Sequence, residues 1–135
     1  GPEERLRAFI RAFILRLLDE GAPAWHGKLM AWEIAEPSGA LGQLAQGSIK
    51  TQYTLLVDIL RDLFGESPVL PGEESEQLFL SAMSIVGQCL HHFTAQRVIA
   101  VLRPHCFNPA DIERIADHIT RFSLNGLRAC GAAGG

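Results

Sequence analysis

Residues 77–96 read QLFLSAMSIVGQCLHHFTAQ, twenty consecutive positions without one Asp, Glu, Lys or Arg, in a chain of which charged residues make up 20%. The stretch is far longer than a strand, whose usual length is roughly 5–6 residues. It is also too polar for a membrane span, because Gln77, Gln88, His91, His92 and two serines interrupt it. What remains is a helix covered by protein on both sides. Wound at about 100° per residue, one broad side carries Leu78, Phe79, Ala82, Met83, Ile85, Val86, Cys89, Leu90 and Phe93. The other carries Ser81, Ser84, Gly87, Gln88 and His91, uncharged where a solvated side would be charged. Glycine within a helix costs about 1 kcal/mol relative to alanine, a loss that close packing against Gly87 can offset. The helix is therefore expected to lie between the chain's interior and a second layer of helix. One chain supplies too few helices for both layers, so a homodimer with two helices per subunit in a four-helix bundle is the economical arrangement.

Helical periodicity runs through the rest of the sequence, and no strand-like alternation or internal repeat appears; the expected fold is all-α. Leu6, Phe9, Ile10, Phe13, Ile14, Leu17 and Leu18 recur at 3–4 spacing, before Gly21 and Pro23 stop the helix. A second helix is expected from about Ala24 to Glu36, where Pro37 ends it. Ser38 heads a weak, glycine-rich piece over 39–47, and Ile49, Tyr53, Leu56, Leu60 and Phe64 mark a clear helix closed by Gly65. The segment ESPVLPGEE reads as a loop, and a short helix is expected near Thr94 to Leu102, broken by Pro104. Asn108-Pro109-Ala110-Asp111 is a helix start: an N-cap, proline at the first position, an acid in the first turn. The helix that follows should reach about Leu127, with Ile112, Ile115, Ile119 and Phe122 on one stripe at the repeat of a helix seam. The same spacing also suits a stripe packed into the chain's own core.

One domain, over 3–128, fits 135 residues, with 129–135 as a flexible tail. A mean hydropathy of +0.13 and 47% hydrophobic residues suggest more apolar surface than one subunit hides, hence an oligomer or a ligand cavity. The net charge of −3 argues against a domain that grips phosphates itself. Three cysteines without paired spacing, and no visible signal peptide, read as reduced thiols in a cytoplasmic protein. Neither a catalytic nor a metal-binding constellation is evident. No Glu-x-x-His pair occurs, Cys89 with His91 and His92 lacks four-ligand spacing, and no serine or cysteine has an obvious base and orienting acid. No cofactor is implied, and no enzyme.

Polar residues on apolar faces carry the remaining signal. Gln52 and Tyr53 sit among apolar positions, His26, Met30 and Glu33 share a face, and Gln88 and His92 lie at the edge of the charge-free helix. A cavity lined by aromatics with a few polar anchors is how small-molecule sites are built. Each residue can equally find a hydrogen bond within a filled core.

The strings WHGKLMAWEIAEP, Gln52-Tyr53, SIVGQCL and ADHITRFSLNGL, taken together, resemble the C-terminal regulatory domain of TetR-type transcriptional regulators, over about Glu4 to Leu127. The branch it resembles is the CerR-like group, in which a helix of the type S-I-x-G-Q precedes a terminal D-H-I-x-x-F helix. The resemblance implies a helical domain that dimerises through a four-helix bundle of its last two long helices and encloses an effector pocket among the others. It places Ser84, Gly87, His91, Ile112, Ile115, Ile119 and Phe122 at the dimer interface. It turns Phe13, Met30, Glu33, Gln52, Tyr53, Gln88 and His92 toward a small, largely apolar effector. Such domains follow a helix-turn-helix unit that this sequence lacks. The chain is thus expected to be a fragment that meets DNA only through that missing unit and touches no membrane. A dimerisation scaffold without a ligand is the alternative.

Overall fold

The computed structural model describes residues 1–18, 39–66, 72–104 and 109–132, and among these every regular element is a helix. They are α1 (Pro2–Leu18), α2 (Gly39–Phe64), α3 (Glu76–Thr94), α4 (Gln96–Leu102) and α5 (Pro109–Ala132). The helix expected over Ala24 to Glu36 lies outside the described residues, and so do Asn108, His105 and Cys106.

The ends of these helices follow from local chemistry. Ser75 caps α3, its Oγ accepting from the Leu78 N–H at 3.2 Å, with Glu76 in the first turn. Gly65, at φ 69, closes α2 as the sequence suggested. The Gly65 N–H donates to the Asp62 carbonyl at 3.3 Å and the Glu66 N–H to that of Arg61 at 3.0 Å, the paired bonds of a Schellman stop. Two boundaries differ from expectation. The glycine-rich piece over 39–47 is the first part of one 26-residue helix, α2. At the other end of the chain α5 runs past Leu127 to Ala132, into the expected tail. The Phe64 ring fills the space that a side chain at Gly131 would occupy, so α5 packs against the end of α2 there.

The core forms where α1, α2, α3 and α5 meet. Leu6, Ile10 and Ile14 of α1, Leu56 and Leu60 of α2, and Leu78, Ala82 and Cys89 of α3 are fully buried, with Ile119 and Thr120 of α5 beside them. The α1 and α2 sets step by 4, and with Ile85 the α3 set steps by 4, 3 and 4, the single-face pattern of a core-facing helix. Thr120 donates its hydroxyl to the Ala116 carbonyl at 2.8 Å, so this buried polar group is satisfied within its own helix.

Ion pairs order α1 on its neighbours. Glu3 meets Arg128, Arg7 meets Asp117 and Arg11 meets Glu113, at 2.5, 2.5 and 2.7 Å. Residue numbers rise along α1 as they fall along α5, so the two helices are antiparallel. Arg5 with Asp62 at 2.5 Å ties α1 to the last turn of α2.

Candidate functional site

The α3 residues expected at an interface turn outward in a single chain. Ser84, Gly87, His91 and Thr94 are exposed, and so are Leu80 and Met83. This corrects the expected division of the helix. Its core-facing sector is the narrow 4–3–4 row Leu78, Ala82, Ile85 and Cys89, while Phe79 and Met83, expected inside, are 45% and 40% exposed. The outward side of α3 is therefore apolar as well as small, and it carries no charge.

α5 divides in the same way. Ile112 and Ile119, expected in the dimer seam, are only 6% and 1% exposed in one chain. They face the chain's own core, because α1 and α3 converge on that side of α5. Ile115 is half-buried and packed against the core, whereas Phe122 is 63% exposed, its ring 5.8 Å from that of His118. The outward stripe is Ile115, His118, Phe122 and Gly126, and the charges of α5 lie on its other side, toward α1.

Between the two stripes lies an open cleft of about 540 Å³ lined by Gly87, Gln88, His91, His92, His118 and Ile119. Gln88 spans its floor, donating from Nε2 to the Ser123 hydroxyl at 3.0 Å and to the Ser84 carbonyl at 3.3 Å. His91 and His92 stand edge to face with ring centroids 6.3 Å apart. The Nδ1 of His92 is buried without a hydrogen-bond partner. Burial, and then the neighbouring imidazoles of His91 and His118, pull His92 below the usual histidine range. The arrangement suits contact with another surface better than proton transfer, for among the described residues no carboxylate lines it.

The residues expected to anchor an effector do not converge there. Gln88 and His92 belong to this cleft, together with the expected interface residues Gly87, His91 and Ile119. Gln52 lies instead where α1 and α2 meet, Tyr53 where α2 meets Glu74 and the first turn of α3, and Phe13 on α1 against the core. Phe13 is half-buried, 6.2 Å from Phe9 between ring centroids, and Gln52 accepts from Arg16 at a long 3.4 Å. Tyr53 donates its hydroxyl to Glu74 at 2.5 Å and meets the edge of Phe79. Desolvation, and then that carboxylate, push the phenol up to about 12, so it stays a donor. Met30 and Glu33 lie outside the described residues.

Cys89 is buried at 0% exposure, and burial pushes its thiol up to about 12, which makes it an inert core residue. Among the described residues no three His, Cys, Asp or Glu side chains are placed to hold a metal ion. No helix there is long and apolar enough to cross a membrane. Sequence reasoning missed His118, Leu80 and, on α4, Val98, Val101 and Leu102, which are 62%, 81% and 78% exposed. A signal existed: 80, 84, 87, 91, 94, 98 and 101 continue one 3–4 alternation across the end of α3.

No curated protein and no solved structure matches the chain. One family model does, that of the C-terminal domain of the HTH-type transcriptional dual regulator CecR, and it matches residues 2–127. The branch read from the sequence as CerR-like is, by this match, the CecR one. With nearly the whole chain covered and every described element helical, the chain belongs to the family of CecR C-terminal domains, C-terminal domains of TetR-type transcriptional regulators.

Proposed function

We propose that this chain is the dimerising, effector-sensing domain of a cytoplasmic transcriptional regulator, and that the outward side of α3, α4 and α5 is its subunit interface. The observation that carries the reading is the uncharged stripe of Leu80, Ser84, Gly87, His91, Thr94, Val98 and Val101, all exposed in one chain at the repeat of a helix seam. Helical bonds carry the stripe across the junction of α3 and α4, from Ala95 N–H to the His91 carbonyl and from Ile99 N–H to that of Ala95, each 2.9 Å. Among the described residues nothing beyond the helix itself comes within 4 Å of where a side chain would stand at Gly87 or Gly126, so the packing they show requires neither glycine. A second backbone closing on that side supplies the reason. An isologous contact, with α3 and α5 of each subunit packed on those of the other, covers the stripe with itself.

The effector reading rests on Phe13, Gln52 and Tyr53, apolar and hydrogen-bonding groups at the edge of the core. A largely apolar molecule with one or two hydrogen-bonding groups suits them. The alternative, a dimerisation scaffold without ligand, has an observation of its own: Tyr53 and Gln88 already hold internal partners in Glu74 and Ser123.

Sedimentation equilibrium of the chain at micromolar concentration should give a homodimer; a monomer overturns the interface. A thermal-shift screen of apolar compounds separates the two effector readings. A true ligand at a hundredfold over its Kd adds about 2.7 kcal/mol to stability, whereas a scaffold responds to none. With its net charge of −3 the chain alone should not retard DNA selectively at physiological salt.

A further inference from the structure

We propose that the α3–α5 face is a pH-sensitive subunit contact, in which a proton taken up in its cleft by His92, between His91 and His118, drives the subunits apart. The inference rests on the reading of that face as the interface, and it concerns a group of residues that reading leaves unexplained. Three of the chain's five histidines line one cleft, contributed by two helices. A structural role does not require that concentration, and neither His91 nor His118 is buried.

The charges around the cleft leave an added proton uncompensated. From α3 come His91 and His92, and from α5 His118. The other charged groups within a turn of His118 on α5 are Arg114, paired with Asp111, Arg121, and Asp117, whose oxygens are taken by Arg7 and Arg121. α4 brings Arg97, five residues after His92. Most charges of α1 and α2 are engaged elsewhere: Glu3 with Arg128, Arg11 with Glu113, Arg5 with Asp62, Arg61 with Asp58. No carboxylate lines the cleft among the described residues.

Three physical consequences follow. A proton on the Nδ1 of His92 creates a buried N–H with no acceptor and a charge beside two other imidazoles. In a two-fold assembly the same stripe meets itself, so six imidazoles are brought to one interface and repel when charged. Covering the cleft with a second subunit buries His92 further and opposes its protonation in the same direction as in the single chain. Because His92 is already held below its ordinary 6.5, the contact is at full strength above that value. It weakens as pH falls through the lowered one, since the separated subunits bind more protons than the assembled ones.

The test is sedimentation equilibrium of the chain at about pH 8 and about pH 5.5, with helix content followed by circular dichroism. The dimer Kd should weaken on the order of tenfold at the lower pH, the equivalent of one unit of pKa shift summed over the assembly, while helix content holds. In a variant carrying His91→Gln, His92→Gln and His118→Gln the Kd should be flat across that range. A dimer whose Kd ignores pH overturns the proposal and leaves the interface intact. So does a triple variant that weakens as much as the parent, which moves the effect to the carboxylates of the α1–α5 ion pairs. A monomer already at about pH 8 overturns the interface itself. If circular dichroism shows the triple variant unfolded, His118→Gln alone, at an exposed position, should reduce the pH response, and an unchanged response overturns the proposal.

Discussion

The two outward sides of α5 differ in charge: one carries ion pairs to α1 and the other an exposed apolar stripe. Toward α1 the helix shows Glu113, Asp117 and Arg128, each tied across to Arg11, Arg7 or Glu3. Toward α3 it shows Ile115, His118, Phe122 and Gly126, without a charge. Both sides are reached by water in one chain: Glu113 and Phe122 are equally classed as exposed. The difference lies in what covering each would do. Charges keep their hydration only while they stay near water, and dehydrating them consumes most of what pairing returns. An exposed phenylalanine gains by being covered, at roughly 25 cal/mol per Å² of apolar area. The charged side is thus finished within the chain, and the uncharged one is the side we propose as the subunit contact.

The sharpest break of that comparison uses two residues three positions apart on the same helix. Ile119 is 1% exposed in a single chain, so Ile119→Glu buries an unpaired carboxylate in the subunit core. The expected loss is about 3–5 kcal/mol, a large part of the roughly 5–15 kcal/mol that holds a domain of this kind together. Urea titration followed by circular dichroism should show a collapse in the midpoint or a chain unfolded from the start. Phe122→Glu should do the reverse. At 63% exposure its charge stays in water in the monomer, so the fold should survive while the dimer fails. If Phe122 anchors the interface, the loss is of order 2–4 kcal/mol in association, read by sedimentation as a weakening on the order of a hundredfold. A Phe122→Glu chain that still dimerises like the parent would mean that the uncharged side of α5 is not the covered one.

Next in size comes the region around α2, where a polar pair stands in place of an ion pair. Tyr53→Phe deletes the donor to Glu74 and should lower the stability of the fold less than Ile119→Glu does. The hydrogen bond from Tyr53, followed by backbone donors, holds the Glu74 carboxyl below its ordinary value of 4.5. A depressed carboxyl contributes stability that is present above that value and lost as pH falls through the lowered one. The parent and Tyr53→Phe should therefore differ at neutral pH and converge in acid. A gap that stays constant down to about pH 3, well below the usual carboxylate range, would show that the hydroxyl acts through packing alone. Added effector should widen or close the same gap if Tyr53 lies in the pocket.

Much of this was legible beforehand, and the illegible part has physical causes. The faces of α1 and α2 follow from spacing, because large apolar residues stand against charges there and only one orientation hides them. The charge-free stretch that became α3 gave no such contrast. With apolar or neutral residues all round, its direction is set by which neighbours reach it, and Met83 and Phe79 fell on the wrong side of the reading. The Ile112–Ile119 stripe posed a related difficulty. A 3–4 repeat says that a helix has a seam but not whether the seam meets its own chain or another, and here Ile112 and Ile119 meet their own core while Phe122 stays exposed. Gln88 and Tyr53 were recognised as polar groups in apolar surroundings. Their partners, Ser123 and Glu74, lie 35 and 21 residues away, and no local pattern announces such pairs.

The smallest expected effect belongs to the charged side, and its smallness is the point. Arg7 reaches Asp117 at 2.5 Å with both side chains nearly half exposed, at 42% and 46%. Pairs of this kind contribute about 0.2–1 kcal/mol. Asp117 also keeps Arg121 at 3.7 Å when Arg7 is removed, so its charge is never left alone. Arg7→Ala should therefore lower the urea midpoint only slightly. Part of that change should vanish in about 1 M salt, where the screening length is about 3 Å. Whatever survives high salt reports the lost packing of the arginine stem on α5. The dimer should be untouched, since α1 covers the opposite side of the helix from Phe122. If Arg7→Ala instead changes the dimer Kd, the two sides of α5 are coupled, and the division between a surface finished within the chain and one built for a partner does not hold.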